Sequence, residues 1–311
     1  MTNPTPQPAT SASRHLTVRG RQVHLRTWGD PEAPPLLLLH GAMDSSAPFQ
    51  FVVDHLPAGR HYVAPDWCGG GRSDPAWCHW YPDFVADLDG IAEQLSPEQP
   101  VDLVGHSRGG NVACLYAGAR PERVRRLMTV EGIGYSYASG DPDEGIATFA
   151  GWLAEQRNRR APRPYESMEK LAESLARNNP GLTAEQTAFI AREWNVPVEG
   201  GGLRLATAFF PREKEGVPVS LPQAMAYWKR ITAPVCYVYG ERSHFTRRTV
   251  EQPDDFARRK ACFAHWREVL IPGAGHMVQY DQPRLLAGAI REFFRLGAGQ
   301  GPDPLSRTQE P

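Results

Sequence analysis

One stretch constrains this chain more than any other. Residues 101–110 read VDLVGHSRGG, and 109–119 continue as GGNVACLYAGA, with small residues on one side and Val112, Leu115 and Tyr116 on the other. A short apolar strand that enters G-x-S-x-G and leaves as a helix needs a turn too tight for side chains two residues before and two after the serine, hence Gly105 and Gly109. The turn lifts the Ser107 hydroxyl above the sheet edge. It also aims the helix N-terminus, with unpaired N–H groups and a partial positive charge, at the same spot. A strand running into a helix is half of a βαβ unit, so the remainder must supply parallel neighbours.

The remainder does so. Residues 15–19 and 22–28 alternate apolar and polar around Gly20 and predict a hairpin. Short apolar runs at 35–39 and 61–65 predict strands buried on both faces, and 124–130, 234–239 and 267–271 predict further strands. Residues 83–95, apolar at 84, 85, 88, 91, 92 and 95, have a helical period, and 285–294 predict a last amphipathic helix. One segment breaks the alternation. Residues 132–233 hold helical patterns at 145–157, 165–178, 183–195 and 223–230 and no convincing strand. The expected organisation is an α/β core of 14–131 and 234–296 interrupted by a helical insertion at 132–233. The tails 1–13 and 297–311 are rich in Pro, Thr, Ser and Gly without apolar period, and are expected to be disordered.

Composition removes several functions. Lys+Arg is 34 against Asp+Glu 35, a net charge of -1, which argues against nucleic-acid and anionic-membrane partners. The longest aliphatic run, 36–39, is far short of the roughly 20 residues of a membrane span. The N-terminus has neither the cationic start nor the apolar core of a secretory signal. Five cysteines without CxxC spacing argue against a disulfide framework or thiolate metal site and for a reducing cytoplasm. Cys68, Cys78 and His79 lack a spaced fourth ligand. None of the four lysines follows a Gly-rich loop, which excludes a P-loop.

Five segments in this order, LLLLHGAMDSS (36–46), VAPDWCGGGRSD (63–74), VDLVGHSRGG (101–110), PVCYVYGERS (234–243) and LIPGAGHMVQYDQP (270–283), resemble the α/β-hydrolase family over about residues 14–296. The resemblance implies a mostly parallel central sheet flanked by helices, with 132–233 in the place of the family's lid. Ser107 is then the nucleophile and His276, on the Gly-rich loop after strand 267–271, its base. The backbone N–H groups of Ala42 and Arg108 are the implied oxyanion donors. His106, beside the serine, is expected to be packed core, and His40 to brace the oxyanion loop. Asp66 is expected to shape a loop.

The third member is less direct. Where many family members carry an Asp after strand 234–239, this chain has Ser243. The resemblance to a subset of the family, including some haloalkane dehalogenases, offers Glu131, right after strand 124–130, and Glu241 is the alternative. The order Ser107, Glu131, His276 keeps the family's serine–acid–histidine order. A dyad without an acid is a further alternative.

A serine at the elbow excludes the carboxylate-nucleophile chemistry of haloalkane dehalogenases and epoxide hydrolases. The expected activity is hydrolysis of an ester or related acyl bond of a small, largely apolar substrate, through an acyl-enzyme and with no metal or organic cofactor. The same triad also serves carbon–carbon bond hydrolases, acyltransferases and cofactor-free perhydrolases, although Met277 stands where carbon–carbon hydrolases often have Trp. A ligand-binding protein with vestigial turnover is the alternative from another class, and the absent acid at Ser243 favours it. Tyr135, Tyr137, Phe149, Trp152, Trp194, Phe209, Phe210 and Trp228 in the insertion suggest an aromatic-lined pocket or simple packing of the insertion on the core.

Overall fold

The computed structural model describes residues 8–76, 79–133, 138–157, 163–206, 215–244, 250 and 252–296. Cys78, Tyr135, Tyr137, Phe209, Phe210 and the tail 297–311 lie outside them.

Eight strands form the main sheet: β1 (Ser11–Val18), β2 (Arg21–Gly29), β3 (Pro35–Leu39), β4 (His61–Pro65), β5 (Val101–His106), β6 (Val124–Val130), β9 (Val235–Gly240) and β10 (Trp266–Ile271). Their order is β1-β2-β4-β3-β5-β6-β9-β10. From β4 to β10 every pairing is parallel, and β2 joins β4 and β1 antiparallel. β7 (Asn195–Pro197) and β8 (Leu203–Leu205) make a separate antiparallel pair.

The unbroken leucine run of β3 follows from helices covering both faces. Leu37 and Leu39 enter one core with α2 (Tyr81–Leu95), α3 (Arg108–Ala119) and α7 (Leu221–Trp228). Leu36 and Leu38 enter the other, with α1 (Gln50–Val53) and the last helix, α10 (Pro283–Phe294). A strand buried on both sides has no polar face to show, so only its length and flanks betray it in sequence.

Among the described residues the inserted segment contributes no strand to the main sheet. It carries α4 (Pro142–Arg157), α5 (Met168–Asn178) and α6 (Ala184–Glu193) before α7. α5 and α6 close a small core of their own on Leu171, Leu175, Ile190, Ala191 and Trp194, and Tyr280 of the main body completes it. Glu193 ties α6 to the sheet by accepting from Arg26 at 2.6 Å and from Arg72 at 3.2 Å.

Two expectations need correction. The N-terminal tail is shorter than 1–13: β1 starts at Ser11, the Ala9 N–H donates to Asp54 at 2.7 Å, and the Gln50 amide donates to the Ala9 carbonyl. Ladder and anchor bonds order these residues despite their weak apolar pattern. The insertion is not strand-free, because Gly200, Gly201 and Gly202, all at positive φ, turn the chain back between β7 and β8. Of the insertion's aromatic residues, Trp228 and Trp194 are packing residues, 0% and 4% exposed in the main and inserted cores. Three helices among the described residues, α1, α8 (Pro253–Lys260) and α9 (Val278–Asp281), are additional to the predicted elements. Among the described residues no helix is long and apolar enough to cross a membrane.

Candidate active site

The parallel strands all end on one edge, and the candidate residues gather there. β5 delivers Ser107 at a strained turn with φ 50° and ψ -115°. The strain is imposed by crowding. A Cβ at Gly105 would lie 2.4 Å from the Gly109 carbonyl oxygen, and one at Gly109 only 2.2 Å from that of Leu39. A non-glycine residue at positive φ costs on the order of 1–3 kcal/mol and persists where its surroundings over-determine it. Here the Ser107 N–H donates to the Val130 carbonyl at 2.8 Å, locking the elbow onto the end of β6.

The next residue after that carbonyl is Glu131, also at positive φ, 59°. Its N–H donates to the Val238 carbonyl at 2.9 Å, so the neighbouring strand holds it. Its carboxylate is buried and fixed from two further segments. The Gly240 N–H donates to Oε1 at 2.8 Å and the Ser243 hydroxyl to Oε2 at 2.5 Å. His276 Nδ1 stands 3.1 Å from Oε2. A carboxylate oxygen accepts, so this ring nitrogen carries the proton and Nε2 is left unprotonated in the neutral imidazole. Ser243, where the family often has its acid, is thus the hydroxyl that fixes the acid from the adjacent strand.

Glu241 does not join this group. It is exposed and accepts from the Gly273 N–H at 2.8 Å, bracing the turn that leads to His276. Between Glu131 and Glu241, the geometry brings only Glu131 to the imidazole.

His106 links base and nucleophile. Its ring packs on that of His276 at 4.9 Å between centroids, and its Nε2 donates to the His276 carbonyl at 2.8 Å. Burial, with His276 nearby, pushes its pKa down to about 3, so it stays neutral and is no competing base. His40 donates from Nδ1 to the Gly41 carbonyl at 2.8 Å, and its Nε2 accepts from the Trp67 N–H. Burial pushes it down to about 4 despite Asp66. His40 braces the oxyanion loop, as expected; His106 is buried as expected, but its ring also holds the histidine loop through the His276 carbonyl.

The implied oxyanion donors flank the serine. Gly41 packs against the elbow so closely that a Cβ there would lie 3.2 Å from the Ser107 Cβ, and Ala42 follows it in an exposed turn. Arg108 is the first residue of α3, where helix N–H groups have no intrahelical partner. Asp66 shapes the adjoining loop. It accepts from the Ser46 and Arg72 N–H groups at 2.7 and 2.9 Å and from His24 at 2.7 Å. Burial works to raise its pKa, but His24, His40 and the Arg72 amide outweigh it and hold it at about 2.

Sequence reasoning misses two groups. Asp44, Gln279 and Tyr280 form a buried cluster between the oxyanion loop and the histidine loop. Glu215, from the insertion, faces Arg108, and burial pushes it up to about 7 against the pull of Arg108 and the Tyr81 amide. Asp44 has a signal, a carboxylate among small residues directly after His40-Gly41; Glu215 has none. The described cysteines, Cys68, Cys114, Cys236 and Cys262, are buried and free. Among the described residues no group of three His, Cys, Asp or Glu is placed to hold a metal ion.

An elbow serine, a carboxylate-paired histidine from the last loop and this strand order are the frame of one fold family, and residues 34–283 match its model, the alpha/beta hydrolase fold. The chain belongs to the α/β-hydrolase family. It is 27% identical over 289 residues to a serine hydrolase-like protein of Danio rerio, covering 89% of this chain and 86% of that one. It is 26% identical over 284 residues to a 2-(acetamidomethylene)succinate hydrolase of Mesorhizobium japonicum, covering 91% and 95%. Among solved structures, a thioesterase domain from the curacin biosynthetic pathway superposes with a TM-score of 0.78 at 27% identity, over 90% of this chain and 99% of that one. Membership of this hydrolase family, and hydrolase activity as its chemistry, agree with the site.

Proposed function

We propose that this hydrolase is a serine esterase that cleaves an ester or related acyl bond of a small, largely apolar substrate through an acyl-enzyme. The observation that carries the reading is the bond from His276 Nδ1 to a Glu131 carboxylate already fixed by Gly240 and Ser243. It sets the tautomer with a basic Nε2, the form that takes a proton from a serine.

In this mechanism Ser107 Oγ attacks the carbonyl carbon as His276 Nε2 removes its proton, and Glu131 stabilises the imidazolium. The N–H groups of Ala42 and Arg108 receive the developing oxyanion. Collapse expels the alcohol, which takes the proton from His276, and water repeats the sequence to release the acid. The chain's own residues suffice, with no metal or organic cofactor. The insertion acts as a lid, resting on Met277 and Tyr280 beside the base. The expected compartment is the cytoplasm.

A panel of p-nitrophenyl esters of graded chain length tests the reading. Turnover of short or medium chains, abolished in Ser107→Ala, supports it. No turnover, with no covalent adduct from a fluorophosphonate probe, contradicts it. One ester in the panel carries a carboxylate on its acyl group, because a relative's name specifies a succinate derivative.

A further inference from the structure

The three loops of the site meet in a buried polar cluster that the hydrolytic scheme does not use. Asp44, 2% exposed, follows the oxyanion turn. Gln279, 1% exposed, and Tyr280, 4% exposed, follow His276, and His106, 3% exposed, precedes Ser107. Gln279 Nε2 stands 3.2 Å from Asp44 Oδ2 and 3.2 Å from His106 Nδ1. The Tyr280 hydroxyl donates to Asp44 Oδ1 at 2.9 Å, and the Ser45 N–H donates to the same oxygen at 2.8 Å. At the far end, His106 Nε2 is 2.8 Å from the His276 carbonyl.

Counting protons gives this relay a direction. The His276 carbonyl can only accept, so His106 Nε2 carries the ring proton and Nδ1 is an acceptor. That acceptor and the Asp44 carboxylate each need a donor, and the two hydrogens of the Gln279 amide supply one apiece. The opposite amide orientation would set Gln279 Oε1 against a carboxylate. The cost of the adopted one is visible, because Oε1 is buried without a hydrogen-bond partner. An orphaned buried acceptor is tolerated only where the rest of a network demands it.

We propose that Asp44 is a positioning residue: its carboxylate orients the Gln279 amide, which fixes the His106 tautomer, which in turn holds the backbone carbonyl of His276 and so registers base, nucleophile and oxyanion loop to one another. The proposal rests on the hydrolase reading of Ser107 and His276. Burial pushes the Asp44 acid up to about 6, only partly offset by the Ser45, Tyr280 and Gln279 donors. The charged and titratable groups around it are Asp66, whose charge adds to this rise, Tyr280, itself raised well above its usual value, and the neutral His106.

Asp44→Asn tests the direction while keeping the shape. Its Nδ2 presents donors to the Gln279 donors, so Gln279 turns and offers Oε1; that oxygen and the His276 carbonyl then compete for the one ring proton of His106, and the bond to the carbonyl weakens as the proton shifts toward Nδ1. The expected result on the best p-nitrophenyl ester is a fall in kcat of about tenfold or more with KM within about threefold, and a melting temperature within about 5 °C of the parent. Nitrogen-15 spectra of the ring read the tautomer directly: Nε2–H in the parent near pH 8, Nδ1–H in the variant. Gln279→Met, which deletes the amide at similar volume, is expected to give the same kcat loss and serves if the first variant does not fold. A parent ring protonated at Nδ1 overturns the proposal without any variant. So does unchanged kcat in either variant when the parent is active. A parent inert to esters and to fluorophosphonate, yet with His106 as Nε2–H, contradicts the esterase reading and leaves the relay standing.

Discussion

The edge where the parallel strands end and the inserted segment beside it are built on different terms. At the edge, Ser107 and Glu131 both hold positive φ, and the Glu131 carboxylate is fixed by Gly240, Ser243 and His276. The strain is carried by two cores that pack both faces of the sheet. Among the described residues the insertion has a core of six buried residues, one of them borrowed from the main body. Its helix α4 buries no residue completely, and Ile146, Phe149 and Leu153 are 69%, 40% and 45% exposed. Under the proposed function, bond breaking falls to the strained, doubly packed edge and substrate selection to the inserted segment.

The largest effect expected is at the elbow itself. Ser107→Gly should lower ester turnover by about 10⁴-fold or more. It should also raise stability by up to about 1 kcal/mol, since glycine accepts φ 50° without strain. Turnover assays and denaturant melts check both, and a destabilised variant would contradict the strain account.

Next come the two cores. Leu38→Ala, in a strand buried on both faces, should cost about 3 kcal/mol of global stability. Leu171→Ala, equally buried but in the inserted core, should open that segment first and raise KM with little change in the global transition. Hydrogen exchange distinguishes local from global opening; equal loss of protection in both regions would erase the distinction.

Legibility in the sequence follows the same division. The sheet strands and Ser107 can be found because the elbow needs glycine at fixed offsets and sheet strands show as short apolar runs; His276 and Glu131 are offered by the family resemblance, at the ends of strands that those runs mark. Gln279 carries no such signal: a lone amide on a four-residue helix, Val278–Asp281, has no periodicity to announce it. Glu215 likewise has no local signal, because its raised acid comes from burial near Arg108 of another element. The β7–β8 pair escapes detection because three-residue strands are too short to show alternation.

A smaller effect is expected from pH. Asp66 is held at about 2, below the usual value of about 3.9, so its contribution is fully present above about pH 4 and lost as pH falls through about 2. Acid melts of Asp66→Asn against the parent check this: their difference should shrink between those values. Smallest of all, Ile146→Ser on the exposed face of α4 should change stability by less than about 0.5 kcal/mol in a denaturant melt.

Glu131, held by Gly240 and Ser243, is proposed to make His276 a base for Ser107. The rate of fluorophosphonate labelling, followed by intact mass with peptide mapping, tests it without a known substrate. Expected is a single adduct on Ser107, slowed about a hundredfold or more in Glu131→Gln and changed less than about threefold in Glu241→Gln. Labelling of Glu131→Gln at the parent rate, or an adduct on any other residue, would contradict it.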